Sequence, residues 1–250
     1  MSIRILVSND DGINSAGLDA LAEVLKTVGE VFIVAPDREQ SAASHALSLH
    51  RPLRVEEISE TIYSVDGTPT DCVNLAVNGL LKDKKPDLVV SGINKGENLG
   101  DDITYSGTVS ATMEGTLLGI PSIAVSLATK NNFYFETASY YALLITKYVL
   151  RKGLPEGTLL NVNIPNLPKE KVKGIKVTRQ GKRVYGEAIV ENIDPRGRKY
   201  YWIGGNELGF LDIENSDIIA VHNGYVSVTP IKLDLTDYAF LDRLQLDLKI

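Results

Sequence analysis

Two adjacent carboxylates, Asp10 and Asp11, follow the apolar run at residues 5–7. Such a run predicts the first buried strand of an α/β sheet, and ligands of these sheets bind beyond the carboxyl ends of the strands. Gly12 comes next and allows the sharp turn that lets neighbouring side chains converge. Two partly buried carboxylates repel each other and lose hydration, so they need a cation to stay ionised. The pair therefore predicts a divalent metal site.

Helix capping is the alternative interpretation, because Asn9 or Asp11 would also suit the cap of a helix that begins near Ala16. One cap does not need three such residues in a row, which favours the metal. The expected ligands are oxygen atoms and the chain has only three histidines, so Mg²⁺, Mn²⁺ or Ca²⁺ is expected rather than zinc. The segment GINSAG lacks the first two glycines of a dinucleotide-binding fingerprint, which counts against pyrophosphate binding on this turn.

Two further predicted strands end in polar loops that should face the carboxylates. The loop after Pro36 carries Asp37, Arg38, Gln40, Ser41 and Ser44, and the glycine-rich loop after Ser91 carries Asn94 and Asn98. Ser106, Gly107 and Thr108 stand just before the next predicted helix, where hydroxyl groups and first-turn amides can bind a phosphate. A capped helix after a flexible loop is the alternative, and the neighbouring metal site favours the phosphate.

The elements that position these residues alternate between strands and helices up to about residue 150. Strands of four to seven residues that are apolar throughout, separated by helices, are typical of a parallel sheet covered on both faces. We therefore predict an α/β fold, a Rossmann-like, doubly wound and mostly parallel sheet. Leu18, Leu21, Val24 and Leu25 fall at helical spacing, and the first helix is expected to stop at Gly29.

The second part of the chain is predicted to be rich in β-structure. The runs LLNVNIP, GIKVTRQ and DIIAVHNGYVSVTPI resemble strands, and the segment around Pro195 and Gly197 predicts a projecting hairpin. No low-complexity linker separates the two parts. We expect one domain over residues 1–250, with a core at about 1–157 and a β-rich extension for oligomerisation at about 158–250.

Composition narrows the classes of function. Of the 250 residues, 44% are hydrophobic and 23% charged, as in an ordinary globular protein. The net charge of −6 and the lack of a basic cluster argue against binding to a nucleic acid polymer or an anionic membrane. The start of the chain lacks the features of a signal peptide and no apolar run approaches the about 20 residues that span a bilayer, so a cytoplasmic location is expected. Cys72, the only cysteine, is expected in the core.

Five ordered motifs resemble those of the SurE nucleotidases, the survival protein E family. They are NDDG, APDREQSA, GTPTDCV, SGINKGENLG and YSGTVSATMEG, and together they extend over much of the chain. The resemblance implies a divalent-metal-dependent phosphatase that hydrolyses nucleoside 5′- and 3′-monophosphates, with short-chain polyphosphate as a further substrate. It also implies a homodimer or homotetramer formed through exchanged C-terminal segments and a hairpin.

The resemblance further assigns roles to residues that match the motifs. One divalent ion per subunit, Mg²⁺ or Mn²⁺ with Ca²⁺ as a substitute in crystals, would be held by Asp10, Asp11, Ser41 and Asn94. The phosphate would be bound by Asn9, Asn98, Ser106, Gly107 and Thr108.

These parts suit attack on phosphorus by a water molecule that the metal activates. Asp10, Asp11 and Ser106 are the predicted catalytic residues: Asp10 would orient or deprotonate the water, and Ser106 would stabilise charge on the phosphoryl oxygens. No covalent nucleophile is expected. The competing functions are a metal-dependent nucleotide sensor without turnover and a pure assembly protein with an incidental acidic loop.

Other residues with chemical potential have simpler interpretations. His45 could protonate the leaving group, but a structural, hydrogen-bonded histidine is the commoner outcome. The aromatic residues Tyr200, Tyr201 and Trp202 could stack on a base, although packing at an interface is favoured on a hairpin arm. We expect subunit contacts from residues 186–205 and 228–250.

Overall fold

The computed structural model describes residues 2–129, 131–184, 189–203 and 209–248. Nine strands form one central sheet, and four more form two small antiparallel pairs. In chain order the strands are β1 (Arg4–Ser8), β2 (Glu30–Pro36), β3 (Val55–Ser59), β4 (Ile62–Val65), β5 (Leu88–Lys95), β6 (Ser122–Ala128), β7 (Thr158–Pro165), β8 (Ile175–Val177), β9 (Arg183–Val184), β10 (Ile189–Ile193), β11 (Lys199–Ile203), β12 (Gly209–Phe210) and β13 (Val226–Lys232).

The helices are α1 (Ala16–Leu25), α2 (Pro69–Leu75), α3 (Gly107–Leu117), α4 (Phe135–Lys152), α5 (Asp217–His222) and α6 (Tyr238–Asp247). A further helical turn at Ala76–Leu80 continues α2, and short turns of 3₁₀ helix lie at Gly100–Thr104 and Lys169–Lys171. Helix α1 begins where it was expected but ends at Leu25, before Gly29.

The central sheet has the order β3-β4-β2-β1-β5-β6-β7-β13-β8. The strands from β4 to β7 in this order are parallel, β13 runs antiparallel to β7, and β3 runs antiparallel to β4. The chain leaves β1 toward β2 on one side and later returns to β5 on the other side. The predicted doubly wound, mostly parallel sheet is therefore confirmed, and its crevice for ligands lies beyond the ends of β1 and β5.

The packing of alternate residues of β1 explains why all three central residues of this strand are apolar. Ile5 and Val7 belong to a core cluster that includes residues of α1 and α4, whereas Leu6 packs in a second cluster with residues of α2 and α3. Helices thus cover both faces of the sheet, and a strand in such a sheet has no polar face. Cys72 is buried in the second cluster, as expected.

The β-rich part continues the main sheet through β7, β13 and β8. Strands β10 and β11 form the predicted hairpin, with Ile189 opposite Ile203 and a turn between Asp194 and Arg198. Residues 186–188, 204, 205, 249 and 250 of the predicted subunit contacts lie outside the described residues.

The prediction of a strand for the run DIIAVH was wrong. This run forms α5, and the Ser216 hydroxyl caps the helix by accepting a hydrogen bond from the Ile219 amide at 3.3 Å. Serine favours this position because its oxygen satisfies an amide that has no partner within the helix. Among the residues that the structure describes, no helix is long and apolar enough to cross a membrane.

Candidate metal and phosphate site

Asp10 and Asp11 lie in the turn that directly follows β1. Gly12 has a φ angle of +94°, which L side chains rarely adopt, so the glycine is required for this turn. Ser15 occupies the N-cap position of α1 without a side-chain capping bond, and neither Asn9 nor Asp11 caps the helix. The two carboxylates are therefore not used for helix capping.

A cavity of about 420 Å³ brings six of the predicted site residues together: Asp10, Asp11, Ser41, Asn94, Asn98 and Ser106. It lies at the end of β1 and β5, where the register of β5 against β6 shifts between Ser91 and Asn94. The sequence interpretation had not assigned the other lining residues, which are Glu39, Ala42, Lys95, Asp102, Tyr105 and Phe133. The turn after β1, the loop after β2 and the glycine-rich loop at the end of β5 thus converge on one cavity, as expected.

The remaining predicted residues, Asn9, Gly107 and Thr108, are not among the lining residues, and the side chains of Asn9 and Thr108 support Asp10 or its turn. The Asn9 side-chain nitrogen donates to the Gly12 carbonyl at 3.0 Å, and the Thr108 hydroxyl donates to Asp10 Oδ1. A Cβ atom at Gly107 would lie 2.7 Å from the Asp10 Cβ, so only glycine lets the start of α3 approach this closely.

Burial disfavours the ionised form of the two carboxylates when no cation is bound. Asp10 is only 5% exposed, and burial, with the nearby charge of Asp11, raises its pKa to about 6 against the bond from Thr108. Burial also raises the pKa of Asp11, and the charge of Lys95 opposes that shift. A positive ion between these groups would offset both effects.

The available donors fit a hard divalent cation. Asn94 uses its amide nitrogen to donate to the Gly96 carbonyl at 2.9 Å, which leaves the side-chain oxygen for a ligand. The Ser41 hydroxyl donates to Glu39 at 2.6 Å and retains its lone pairs. In the described part of the chain, no three His, Cys, Asp or Glu side chains are grouped as a metal site. Two carboxylates together with the neutral oxygens of Ser41 and Asn94 are the kind of ligand that a hard divalent cation prefers.

The charge of the cavity gives a second argument for a cation. Four acidic side chains line it, Asp10, Asp11, Glu39 and Asp102, against one basic residue, Lys95. A phosphate dianion would be repelled by this surface. A bound divalent ion would reverse the repulsion close to the two carboxylates.

Buried asparagines of β7 hold the glycine-rich loop in place. The Asn98 amide donates to Asn163 Oδ1 at 2.8 Å, and the Asn98 carbonyl accepts from Asn161 and Asn163 at 2.8 and 3.0 Å. The Asn98 side chain donates to the Ser126 hydroxyl at 2.8 Å. The position of Asn98 in the cavity is thus determined by β6 and β7.

The β-rich part fastens the same loop through Asp217, a residue that the sequence interpretation missed. The fully buried Asp217 carboxylate accepts from the Gly100 amide at 2.9 Å and from the Gly181 amide at 2.8 Å. Arg183 adds a bond to Asp102 at 2.8 Å and an ion pair with Glu97 at 3.3 Å. No spacing rule links residues so distant in sequence.

His45 has the structural role that was favoured. Its Nε2 lies 2.8 Å from Glu114 Oε2, and this bond lowers the pKa of Glu114. His45 does not line the cavity.

We expect Asp217→Asn to lower the free energy of unfolding by about 1–3 kcal/mol, because an amide nitrogen would then face a backbone donor. Urea denaturation measures the change. The matched control is Asp83→Asn on the exposed surface, for which we expect no measurable effect. Equal stability of the two variants would contradict a structural role for Asp217.

Comparison with known proteins gives consistent matches. The family described as Survival protein SurE matches residues 5–187. A protein named 5′-nucleotidase SurE from Geobacter sulfurreducens is 59% identical over 97% of this chain and 93% of its own length. One of the same name from Geotalea daltonii is 58% identical over 94% and 95%, respectively. The crystal structure of the SurE protein from Aquifex aeolicus superposes with a TM-score of 0.88, at 53% identity over 97% of this chain and 98% of that one.

Proposed function

The chain belongs to the survival protein SurE family, and from this premise we infer that it is a 5′-nucleotidase, an enzyme that releases phosphate from nucleoside monophosphates. The observation that carries the conclusion is the cavity at the end of β1 and β5, which joins two adjacent carboxylates to the start of α3. Relatives named 5′-nucleotidase SurE cover 94–97% of the chain.

We propose one divalent ion per subunit, Mg²⁺ or Mn²⁺, held by Asp10, Asp11, Ser41 and Asn94, with Ca²⁺ able to take the same place in crystals. When bound, the ion would neutralise phosphoryl charge and lower the pKa of a water molecule. Support comes from the oxygen-only donor set and from the acidic lining, which leaves a phosphate without a positive partner other than Lys95.

Side chains and backbone amides of the chain would activate the water and bind the phosphoryl oxygens. Asp10, held by Thr108, would orient the attacking water and accept its proton. The Ser106 hydroxyl and the first-turn amides of α3, at Gly107 and Thr108, would bind the phosphoryl oxygens. Asn98 would contribute from the glycine-rich loop, and Asn9 would hold the turn that carries Asp10.

The finer substrate range is also part of the proposal. The same cavity would accept nucleoside 3′-monophosphates and short-chain polyphosphate, because the proposed metal and the start of α3 would bind phosphoryl oxygens, which all these substrates share. We further propose that residues 1–250 form a single domain, with the β-rich part as its extension. A nucleotide sensor without turnover is the alternative function for the same cavity.

Phosphate release decides between enzyme and sensor. We expect the protein to release inorganic phosphate from AMP with Mg²⁺ or Mn²⁺, and to stop when EDTA is added. Restoring either ion after removal of EDTA should restore the rate. Binding of AMP without any phosphate release would identify the protein as a sensor.

Assembly is proposed from two apolar surfaces that have no cover within the described subunit. Tyr200, Tyr201 and Trp202 on β11 are 43–63% exposed, and an isolated two-stranded ribbon has little stability of its own. Helix α6 has no buried residue. The exposed apolar side chains on it, and on the residue that directly follows it, are Phe240, Leu241, Leu244, Leu246 and Leu248. A second copy of the chain would cover both surfaces in a homodimer or homotetramer.

We expect replacement of residues 189–203 by a short glycine-serine linker to lower the oligomeric state, as measured by light scattering at micromolar concentration. The exposed Tyr148→Ser variant on α4 is the control and should assemble like the wild type. A monomeric wild-type protein under these conditions would disprove the assembly.

A further inference from the structure

The cavity at the end of β1 and β5 contains two aromatic side chains for which the phosphate chemistry has no use. Tyr105 is 58% exposed and Phe133 is partly buried, and both line the cavity together with Asp10 and Asp11. Contact between an exposed aromatic ring and water is unfavourable in free energy, and such a ring beside an acidic site is suited to stacking against a planar ligand. The two rings therefore indicate a ligand that has a planar group in addition to the phosphate.

The backbone and neighbouring rings hold both residues. The Tyr105 amide donates to the Asp102 carbonyl at 3.0 Å, and the Tyr105 carbonyl accepts from the Ser44 amide at 3.2 Å. The Phe133 ring stacks on Phe135, with ring centroids 5.3 Å apart and planes 12° from parallel. Both rings are thus attached to ordered segments.

The two residues reach the cavity from different parts of the fold. Tyr105 directly precedes Ser106 at the start of α3, whereas Phe133 lies in the segment between β6 and α4. Helices α3 and α4 pack in clusters on opposite faces of the sheet. With a volume of about 420 Å³, the cavity has room for more than one phosphoryl group.

We propose that Tyr105 and Phe133 form the binding platform for the base of the nucleoside monophosphate. This inference rests on the proposed function and adds the residues that select a nucleotide over a simple phosphate ester. Every base has an aromatic face, so stacking tolerates different bases. A platform built from two rings therefore recognises the nucleoside without a strong preference among bases.

A neighbouring cavity of about 530 Å³ is the competing place for the base. Phe210 and His222 line it, with ring centroids 5.8 Å apart. Arg183, which also lines it, bonds to Asp102 of the first cavity. We favour the platform of Tyr105 and Phe133 because it shares one cavity with the two carboxylates.

The kinetic test compares AMP with ribose 5-phosphate, which has the sugar and the phosphate but no base. We expect Tyr105→Ala to lower the AMP to ribose 5-phosphate ratio of kcat/KM about tenfold, mainly through a higher KM for AMP. Tyr105→Phe, which keeps the ring, should restore the ratio, and Phe133→Ala should lower it. Tyr148→Ala, an exposed tyrosine on α4, is the control.

Binding of adenosine in EDTA, measured by calorimetry, tests the platform without turnover, phosphate or metal. Weaker binding to Tyr105→Ala than to the wild type supports the proposal. An unchanged substrate ratio, an equal loss for both substrates, or a lower ratio in Phe210→Ala alone would overturn it. A wild-type protein that hydrolyses neither substrate but binds adenosine through Tyr105 would refute the proposed enzyme and leave the platform standing.

Discussion

We expect Asp10→Asn to lower the rate of phosphate release from AMP about a thousandfold or more, while the protein remains folded. The physical reason is that the variant loses one of the two negative charges that face the proposed cation and the group that would accept the proton of water. The assay is phosphate release with saturating Mg²⁺ or Mn²⁺, and circular dichroism reports the fold. Asp83→Asn, which changes the same charge on the exposed surface, should retain wild-type activity. Wild-type turnover in Asp10→Asn would remove this residue from the mechanism.

The same variant should be more stable than the wild type when no metal is present. The pKa of Asp10 is raised from 3.8 to about 6 in the folded chain, so the folded state retains a proton that the unfolded state releases. The stability of the metal-free wild type therefore falls as the pH rises from about 4 to 6. Above that range we expect Asp10→Asn to be more stable by about 1–3 kcal/mol, and near pH 4 the difference should shrink. Melting temperatures in EDTA across this range measure the effect.

We expect Ser106→Ala to lower kcat by a factor equivalent to about 2–4 kcal/mol, because the hydroxyl would meet the charged phosphoryl group in the transition state. Ser106 also caps α3 by accepting from the Val109 amide at 3.1 Å, so the variant should lose about 1 kcal/mol of stability as well. A fall in activity could therefore be mistaken for a consequence of weaker folding.

Ser216→Ala separates the two effects. Ser216 is buried and caps α5 in the same way, but it does not line the cavity. We expect both variants to lose similar stability and only Ser106→Ala to lose kcat. If only the KM of Ser106→Ala changed, the hydroxyl would bind substrate and transition state equally.

Local patterns in the sequence were sufficient to predict the sheet and the convergence of its loops. Apolar runs such as residues 5–7 and 123–125 can be buried only between two layers of helices, and the order of strands and helices then places Asp10, Ser41 and Asn94 at one edge. The run DIIAVH misled because α5 is short and apolar, and its cap at Ser216 was the overlooked sign of a helix.

The support behind the cavity could not be predicted in the same way. Thr108 was expected to face the phosphate, yet its hydroxyl bonds to Asp10, which only the close approach at Gly107 makes possible. Asp217 reaches the glycine-rich loop from 117 residues away. Such contacts depend on how elements pack in three dimensions, and a single sequence contains no periodic pattern for them.

The bonds from β7 to Asn98 also determine when the loop becomes ordered. Because the Asn98 amide is buried and bonded to Asn163, its hydrogen should exchange with solvent only when β7 itself opens. The conformational entropy of this loop is then lost during folding, before any substrate arrives. Substrate binding should consequently cost little additional ordering at Asn98, and amide exchange at this residue should already be slow in the protein without a nucleotide.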